Sequence, residues 1–475
     1  MSKKTDNNPT RLENSNAFGG LVIDRIAPED QKATIDFSYN GKSENKNVSF
    51  KIILKDRQSE KEMYSKVISG ELRSFSINNL RNKIDYLVDI EAQESGFNKT
   101  VARSHTRLFR TGHVPGVVIN YIHPDDYTYD FSGRSPASPS LVRLPNGDLL
   151  ASHDIFWGMG GQNLTKVFQS QDDGVTWKYK SDVSPCFWGK LFAHNDSLYM
   201  LGTSTEYGRL LIFKSDDLGL SFSEPTTIMA GGCGEKGGPH KAPMPVVNYN
   251  GRLWTAIDHG SWLAGGHYSG VVSVSVDANI MNAENWDVSP FLPYSSQWQG
   301  AIKGGNPGLL EGNVVVTPKG ELVNLLRYNT VGGTPDYGKA IMLNIDKDNP
   351  NAPLTFGKVI DFPGNMSKFT INYNKENKRY YSLVNRVTTD CKKQRNILTL
   401  ISSENLINWH IQRDILNYED NGWQEDYTKV GFQYVDWIFS GDDILAASRT
   451  AINGAYNFHN ANHITFHRIK DFALI

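Results

Sequence analysis

Apolar and polar residues alternate with a period of two through most of the chain. Between about residues 18 and 112 the alternating runs are 20–24, 33–38, 48–54, 72–77 and 86–91, separated by clusters of turn residues. Successive side chains of a strand face opposite sides of a sheet, so this pattern predicts half-buried antiparallel strands. Residues 1–17 are polar without periodicity and read as a disordered tail, and the tract Arg107 to Pro115 reads as a joint. Beyond about residue 115 a longer unit repeats: an apolar strand, a Gly/Asn/Asp turn and a second apolar strand. It occurs at 139–152, 190–202, 245–257, 313–326, 369–384 and 433–447, with successive turns about 49 to about 69 residues apart.

The fold class these patterns predict is all-β. Residues 18–112 form a β-sandwich of the immunoglobulin or fibronectin type III kind, and 113–475 a six- or seven-bladed β-propeller, since the repeat has the size of a four-stranded blade. An open propeller leaves two raw sheet edges, so closure is expected to pair Val117-Val-Ile-Asn120 with Ile464-Thr-Phe-His467. A seventh blade has room at 283–310 or is built from both ends of the propeller.

Composition narrows the function classes. Forty-nine Lys+Arg against fifty-one Asp+Glu give a net charge of −2, so no overall basic field attracts nucleic acid. No apolar run approaches the roughly 18 residues of a membrane span. The three cysteines, Cys186, Cys233 and Cys391, are scattered and form neither a disulfide framework nor a zinc motif. The first residues carry no leader pattern. The chain as it stands reads as cytoplasmic, or as secreted or periplasmic if a leader has been trimmed from it.

In a blade the first strand lines the channel, and the turn between strands one and two lies at one face. The start of strand one and the end of strand two therefore meet at the other face. Strand-two ends carry His153-Asp154, Asp258-His259, Arg327, Arg386 and Arg449; strand-one starts carry His240-Lys241, Glu311-Gly-Asn313, Lys368 and Gln433. Turn chemistry alone favours Gly, Asn, Asp and Ser at such places. The concentration of His, Arg and Lys predicts a cation-rich cup suited to an anionic sugar. His153 and His240 are the candidate catalytic bases or acids; Lys241, Glu311, Asn313, Arg327, Lys368, Gln433, Arg449 and His259 are the candidate substrate-binding residues. Each also has a structural reading, as a histidine bonded to a neighbouring blade or an arginine paired across an interface. His123, His459, His463 and Asp125-Asp126 read as loop and turn residues. No HExxH, P-loop, GxGxxG or GxSxG context occurs. No cofactor is called for, and a structural calcium ion in the channel is left open.

A second repeat rides on the first. Ser170-Gln-Asp172-Asp-Gly174-Val-Thr176-Trp177 has the form S-x-D-x-G-x-T-W, Ser215-Asp-Asp217-Leu-Gly219-Leu-Ser221-Phe222 repeats it, and Ser402 to Trp409 keeps only its ends. These tracts resemble the Asp-box (BNR) repeats of sialidase-like propellers, in which they are structural turns far from the chemistry. Further tracts resemble the rhamnosyl-glucuronate lyases and related propeller rhamnosidases. They are Pro115-Gly-Val-Val-Ile-Asn120, Ser138 to Asp154, His240-Lys-Ala-Pro-Met-Pro-Val246, Leu310-Glu-Gly-Asn-Val314, Gly431 to Trp437 and Asn462 to Arg468. That resemblance implies cleavage of terminal rhamnose from glucuronic acid in acidic glycans by β-elimination. His153 is then the main catalytic residue, His240 its partner, and the arginines or Lys241 neutralise the uronate. The segment 121–135 departs from the short loop expected in that family. The alternative is an exo-sialidase, whose chemistry needs three arginines around a carboxylate, a Tyr-Glu nucleophile pair and an Asp acid. Phe109-Arg-Thr-Gly112 is similar to the Phe-Arg-Ile-Pro start of sialidases but lacks Ile-Pro, and no Tyr-Glu pair is evident along the chain. A third class is glycan binding without catalysis, with Trp157, Trp188, Trp262 and Trp298 stacking on sugar.

Overall fold

The computed structural model describes residues 20–41, 48–94, 99–302, 308–330, 337–388, 393–420 and 422–473. The tail read at 1–17 and Cys391 lie outside the described residues. The amino-terminal strands are β1 (Leu21–Glu29), β2 (Lys32–Tyr39), β3 (Val48–Asp56), β4 (Glu62–Ile68), β5 (Ser74–Asn78), β6 (Asp85–Glu94), β7 (Lys99–Arg103) and β8 (Arg107–Arg110). They make one sheet of order β1-β2-β5 and a second of order β4-β3-β6-β7, in which β8 also pairs with β6. The period-two pattern has its direct consequence in β6: Tyr86, Val88, Ile90 and Ala92 face inward. They join Ile23, Ile35, Phe37, Phe50 and Ile52 in one apolar core. The joint expected to begin at Arg107 instead begins after β8, because Phe109 belongs to that core and stacks on Tyr86 with ring centroids 5.3 Å apart.

Buried arginines fasten this unit to the rest. Arg25 pairs with Asp36 at 2.6 Å and donates to the carbonyls of Ile119 and Val118 at 2.6 and 2.8 Å. Arg107 pairs with Asp126 at 2.5 Å and donates to the Ile23 carbonyl at 3.0 Å. Both members of the second pair are almost fully buried. Removing one partner strands the other charge without water. Asp126→Ala is therefore expected to lower stability by about 3–5 kcal/mol, read by urea unfolding; a loss below about 1 kcal/mol would show that the pair does not fasten this junction.

The remaining strands form six sheets among the described residues, in chain order 135–183, 187–229, 238–288, 308–361, 371–417 and 431–469. We call these blades 1 to 6. The last is completed by Val117–Tyr121 as its outermost strand, with Ile464 opposite Asn120. Both ends thus meet in the sixth blade, and among the described residues of 283–310 no further sheet forms. In blade 3 the innermost strand is broken into Gly238–His240 and Val247–Tyr249.

Polar groups stitch neighbouring blades into a ring. Leu141 N–H donates to Asp436, Leu191 N–H to Ser140 Oγ and Glu311 N–H to Asp258. Ile371 N–H donates to Asn313 Oδ1, and Thr370 Oγ1 to the Val435 carbonyl. With the Trp188–His240 ring contact at 4.4 Å between blades 2 and 3, the circle is closed.

The two full S-x-D-x-G turns have the same wiring. Ser170 Oγ donates to Asp172, Gly174 N–H donates to Ser170 Oγ, and Thr176 donates to Asp172 through both its N–H and its hydroxyl. Ser215, Asp217, Gly219 and Ser221 repeat each bond. Gly174 has a φ of 92°, and a Cβ there would run into the Phe466 ring. Both turns join strands three and four of their blades and lie away from the cup.

One irregularity recurs and places the chemistry. The innermost strands of blades 1, 2, 4 and 6 each slip register near their start, at Ala137/Ser140, Phe187/Lys190, Leu310/Asn313 and Gln433/Asp436. Within each slip one non-glycine residue adopts positive φ: Ser138 at 45°, Trp188 at 55°, Glu311 at 53° and Tyr434 at 56°. A β-bulge re-aims a side chain that regular alternation would send elsewhere, and left-handed backbone at a bulky residue is uncommon enough to mark a site.

Candidate functional site

The bulges of blades 4 and 6 bring Glu311 and Tyr434 together. Tyr434 Oη donates to Glu311 Oε1 at 2.8 Å, and Arg327 Nη1 donates to Glu311 Oε2 at 3.0 Å while standing 3.4 Å from Tyr434 Oη. Burial disfavours the carboxylate, but Arg327 outweighs it and holds Glu311 below the ordinary range; burial and the adjacent Glu311 charge push Tyr434 up. Glu311 is thus ionised beside a protonated phenol, the arrangement in which a carboxylate can take a phenolic proton.

Two more guanidinium groups face Tyr434. Arg395, in the segment leading into Ile397–Ser403, lies 5.8 Å from the ring centroid, and Arg449, in Asp443–Ala451, lies 5.2 Å away. Arg395 donates to Gln433 Oε1 at 2.5 Å and to the Met366 carbonyl at 3.2 Å; Arg449 donates to the His459 carbonyl and packs on Phe156. Neither pairs with a carboxylate among the described residues, and burial lowers both from the ordinary arginine value. The Nε atoms of Arg327, Arg395 and Arg449 all lack a protein acceptor among the described residues. Three buried guanidinium groups around Tyr434, two of them without a carboxylate partner among the described residues, are the complement of an anionic group. A cavity of about 460 Å³ opens beside them, lined by Trp262, Arg327, Asn329, Met366, Arg395 and His459, among others.

On the blade 3 side, His240 donates through Nδ1 to Asp258 Oδ2 at 3.2 Å, and the same oxygen accepts from Glu311 N–H at 2.7 Å. The Trp188 ring at 4.4 Å and the His267 ring at 4.6 Å fix the imidazole plane. Burial raises Asp258. A histidine oriented by a buried carboxylate is a proton carrier of defined tautomer.

The predicted residues divide. Arg327, Arg449, Glu311 and His240 come together at the cup, and Gln433 stands behind it, accepting from Arg395 and donating to the Phe458 carbonyl. The others lie elsewhere. Asn313 is consumed in stitching blade 4 to blade 5. His259 follows Asp258 on a strand and so faces the opposite side, against Phe291 at 5.1 Å. Lys241 and Lys368 are buried in the channel beneath the cup. Arg386 pairs with Asp414, and Asp125 pairs with Arg57 at 2.7 Å, both away from the cup. Arg110, in the Phe-Arg-Thr-Gly tract, pairs with Asp85 at 2.8 Å in the amino-terminal unit. Trp298 stacks on Phe356 at 4.7 Å, whereas Trp262 lines the cavity. Among the described residues no group of three or more His, Cys, Asp or Glu is disposed to hold a metal ion.

The structure places His153 away from the cup. Its side chain is fully buried: Nδ1 donates to the Asp154 carbonyl at 3.0 Å, Nε2 accepts from Asn120 at 2.9 Å, and the ring stacks on Phe168 at 5.4 Å. The reason is parity. Asp154 opposes Ala137 just before the bulge, as Arg327 opposes Leu310 and Arg449 opposes Gln433, so Asp154 occupies the equivalent register position and His153 faces the other way. Asp154 accepts from Thr165 Oγ1 at 2.8 Å, keeps Oδ2 unpartnered among the described residues, and is pushed up to about 7 by burial. His153→Ala is expected to lower stability by about 2–4 kcal/mol through the cavity and the orphaned Asn120. Turnover per folded molecule should stay within about twofold; a hundredfold loss of turnover at unchanged fold would restore His153 to the chemistry.

Burial also holds other histidines neutral: His153 and His463 at about 3, and His467 at about 4. Unfolded histidines protonate near pH 6.5, so below that pH the unfolded chain takes up protons that the fold refuses, and stability falls with falling pH. The expected slope is up to about 1.4 kcal/mol per pH unit for each histidine, down to their folded values. Denaturant midpoints at pH 7.5 and pH 5 check this; equal midpoints would overturn it.

Neither a family model nor a curated protein matches the chain. An alpha-L-arabinanase of Penicillium chrysogenum is 14% identical, with a TM-score of 0.46 over 76% of this chain and 99% of its own. An intramolecular trans-sialidase of Ruminococcus gnavus is 12% identical, with a TM-score of 0.48 over 74% and 97%. The leech intramolecular trans-sialidase is 10% identical, with a TM-score of 0.47 over 95% of this chain and 92% of its own.

Proposed function

We propose that the protein is an exo-acting glycoside hydrolase of the sialidase kind, removing a terminal sugar that carries a carboxylate. The observation that carries this reading is the Tyr434–Glu311 hydrogen bond at 2.8 Å beside three guanidinium groups with open donors. The arginines take the substrate carboxylate. A carboxylate nucleophile would be repelled by that charge, whereas a neutral phenol is not. Glu311 accepts the phenolic proton as Tyr434 Oη bonds to the anomeric carbon, and the glycosidic C–O bond breaks with protonation of the leaving oxygen. Water then attacks the same carbon and gives up a proton to the group that had protonated the leaving oxygen, the aryl ether breaks, and Glu311 returns its own proton to Tyr434. His240, held by Asp258 at the cup, protonates the leaving oxygen. Asp154 is the second donor to be tested, since burial pushes it up to about 7 and one of its oxygens is unpartnered. Aryl glycosides with an acidic leaving group distinguish the two, because only the acid's variant regains turnover on them.

The β-elimination reading requires a base at C5 of a uronate, and the residue assigned to it, His153, is sealed between Phe168 and Asn120. The test is a panel of sialyllactose and rhamnose-capped glucuronic acid oligosaccharides, followed by product mass and ultraviolet absorbance together. Release with the mass of one added water and no new absorbance is expected. Absorbance of an unsaturated uronate would overturn the hydrolase, and no release from any carboxylated glycan would leave glycan binding as the function. For the amino-terminal unit we propose the fibronectin type III arrangement, supported by its sheets of order β1-β2-β5 and β4-β3-β6-β7.

A further inference from the structure

Beneath the cup, the innermost strands contribute three lysines to the channel. Lys190 lies on Phe187–His194 of blade 2, Lys241 directly follows Gly238–His240 of blade 3, and Lys368 precedes Ile371–Asn374 of blade 5. All are buried. Lys190 pairs with Asp436 at 2.5 Å. Lys241 Nζ donates to Thr255 Oγ1 at 3.0 Å and to the Ala256 carbonyl at 3.1 Å, and Lys368 Nζ to Thr370 Oγ1 at 2.9 Å and to the Val435 carbonyl at 3.0 Å. An ammonium has three donors, so among the described residues one N–H of each is left without a protein acceptor, and neither lysine has a carboxylate in ion-pair range. By contrast, the buried Lys166 sits 2.8 Å from Asp182.

The three charges act on one another. Burial, then repulsion from Lys190, works against the charged forms of Lys241 and Lys368, with Asp258 and Asp436 only partly offsetting it. Of the cup's charges, Glu311 partly offsets the repulsion at Lys368. Arg327 is taken by Glu311, and the open donors of Arg395 and Arg449 lie above it, at Tyr434. An ammonium kept from water without a counter-ion is costly. Asp258 Oδ1 and Asp436 Oδ1 lack donors among the described residues; as acceptors they leave an anion only the lysine N–H groups as partners.

We propose that Lys190, Lys241 and Lys368 bind a small inorganic anion of the halide class on the propeller axis, beneath the substrate cup and separate from it. One free N–H from each of Lys241 and Lys368, beside the Lys190 charge, suits a monatomic ion; a tetrahedral oxyanion needs more donors than remain. The site does not depend on the hydrolase reading, because none of its lysines touches Tyr434, Glu311 or the arginines in a hydrogen bond.

The test uses the intact chain. Melting is followed at constant ionic strength as sodium chloride replaces sodium gluconate, and crystals soaked in sodium bromide are examined for anomalous scattering. A saturable rise of a few degrees with chloride is expected, as for any ligand that binds only the folded state, together with a bromide peak in hydrogen-bond range of Lys241 and Lys368 Nζ. Lys241→Met and Lys368→Met should each abolish the chloride increment while melting no lower than the wild type in gluconate, since each deletes a buried charge. No chloride-dependent rise in the wild type, or bromide found only among Arg327, Arg395 and Arg449, would overturn the proposal. Should the variants fail to fold, the wild-type melting series and the bromide map still decide it.

Discussion

Tyr434→Phe is expected to cut kcat on the responsive glycan by about 10³-fold or more while KM stays within about threefold. The substitution deletes one oxygen and keeps the ring against which Arg395 and Arg449 are packed, so the carboxylate site survives. What is lost is the atom that bonds to the anomeric carbon, an interaction made only along the reaction path, and such losses fall on kcat. Glu311→Gln should lower kcat comparably, but it also releases Arg327 from its 3.0 Å pair and is expected to raise KM as well. Steady-state kinetics on both variants, with melting temperatures to confirm the fold, provide the reading. A Tyr434→Phe enzyme within tenfold of the wild type would exclude the phenol as nucleophile.

Arg449→Met should reduce kcat/KM on a carboxylated substrate by about 10²–10³-fold and have little effect on the same glycan with its carboxylate converted to an amide. A buried guanidinium with no carboxylate of its own gains most from a charge-assisted bidentate partner, and its loss cannot be made good by water in a dry site. Arg395→Met should behave alike, although it also frees Gln433, which accepts from it at 2.5 Å. The amide comparison separates recognition from damage, because a misfolded cup loses both substrates equally. An equal loss on the two substrates would remove these arginines from carboxylate recognition.

The hairpins were legible because each strand pair buries one face and so repeats apolar residues with a period of two. The cup was legible because charged residues at strand ends stand out against the small turn residues usual there. Tyr434 was not, although it adjoins the candidate Gln433: its direction depends on a bulge, and no residue type announces that a tyrosine will adopt a φ of 56°. Arg395 escaped because it enters from the approach to a third strand, and only the first two strands of each hairpin carry the repeat. At His153 the pattern reads one position away from Asp154, which holds the register position of Arg327 and Arg449, since spacing along a strand shows where it ends but a single bulge on its partner decides which of two neighbours faces the channel. The two lysines read as substrate-binding lie deeper than the cup, because strand-one starts sit at different depths in different blades.

The four bulged residues occupy corresponding sockets, one per blade, at Ser138, Trp188, Glu311 and Tyr434. In each, ladder pairing resumes on either side of the bulge, and at Glu311 the backbone N–H is held besides by Asp258. Chemistry at the mouth is therefore interchangeable in a way that the stitched layer below it is not: a socket can trade a serine, an indole, a carboxylate or a phenol without re-registering a strand. Ser138, the smallest of the four, is the natural place to install a new functional group in this scaffold.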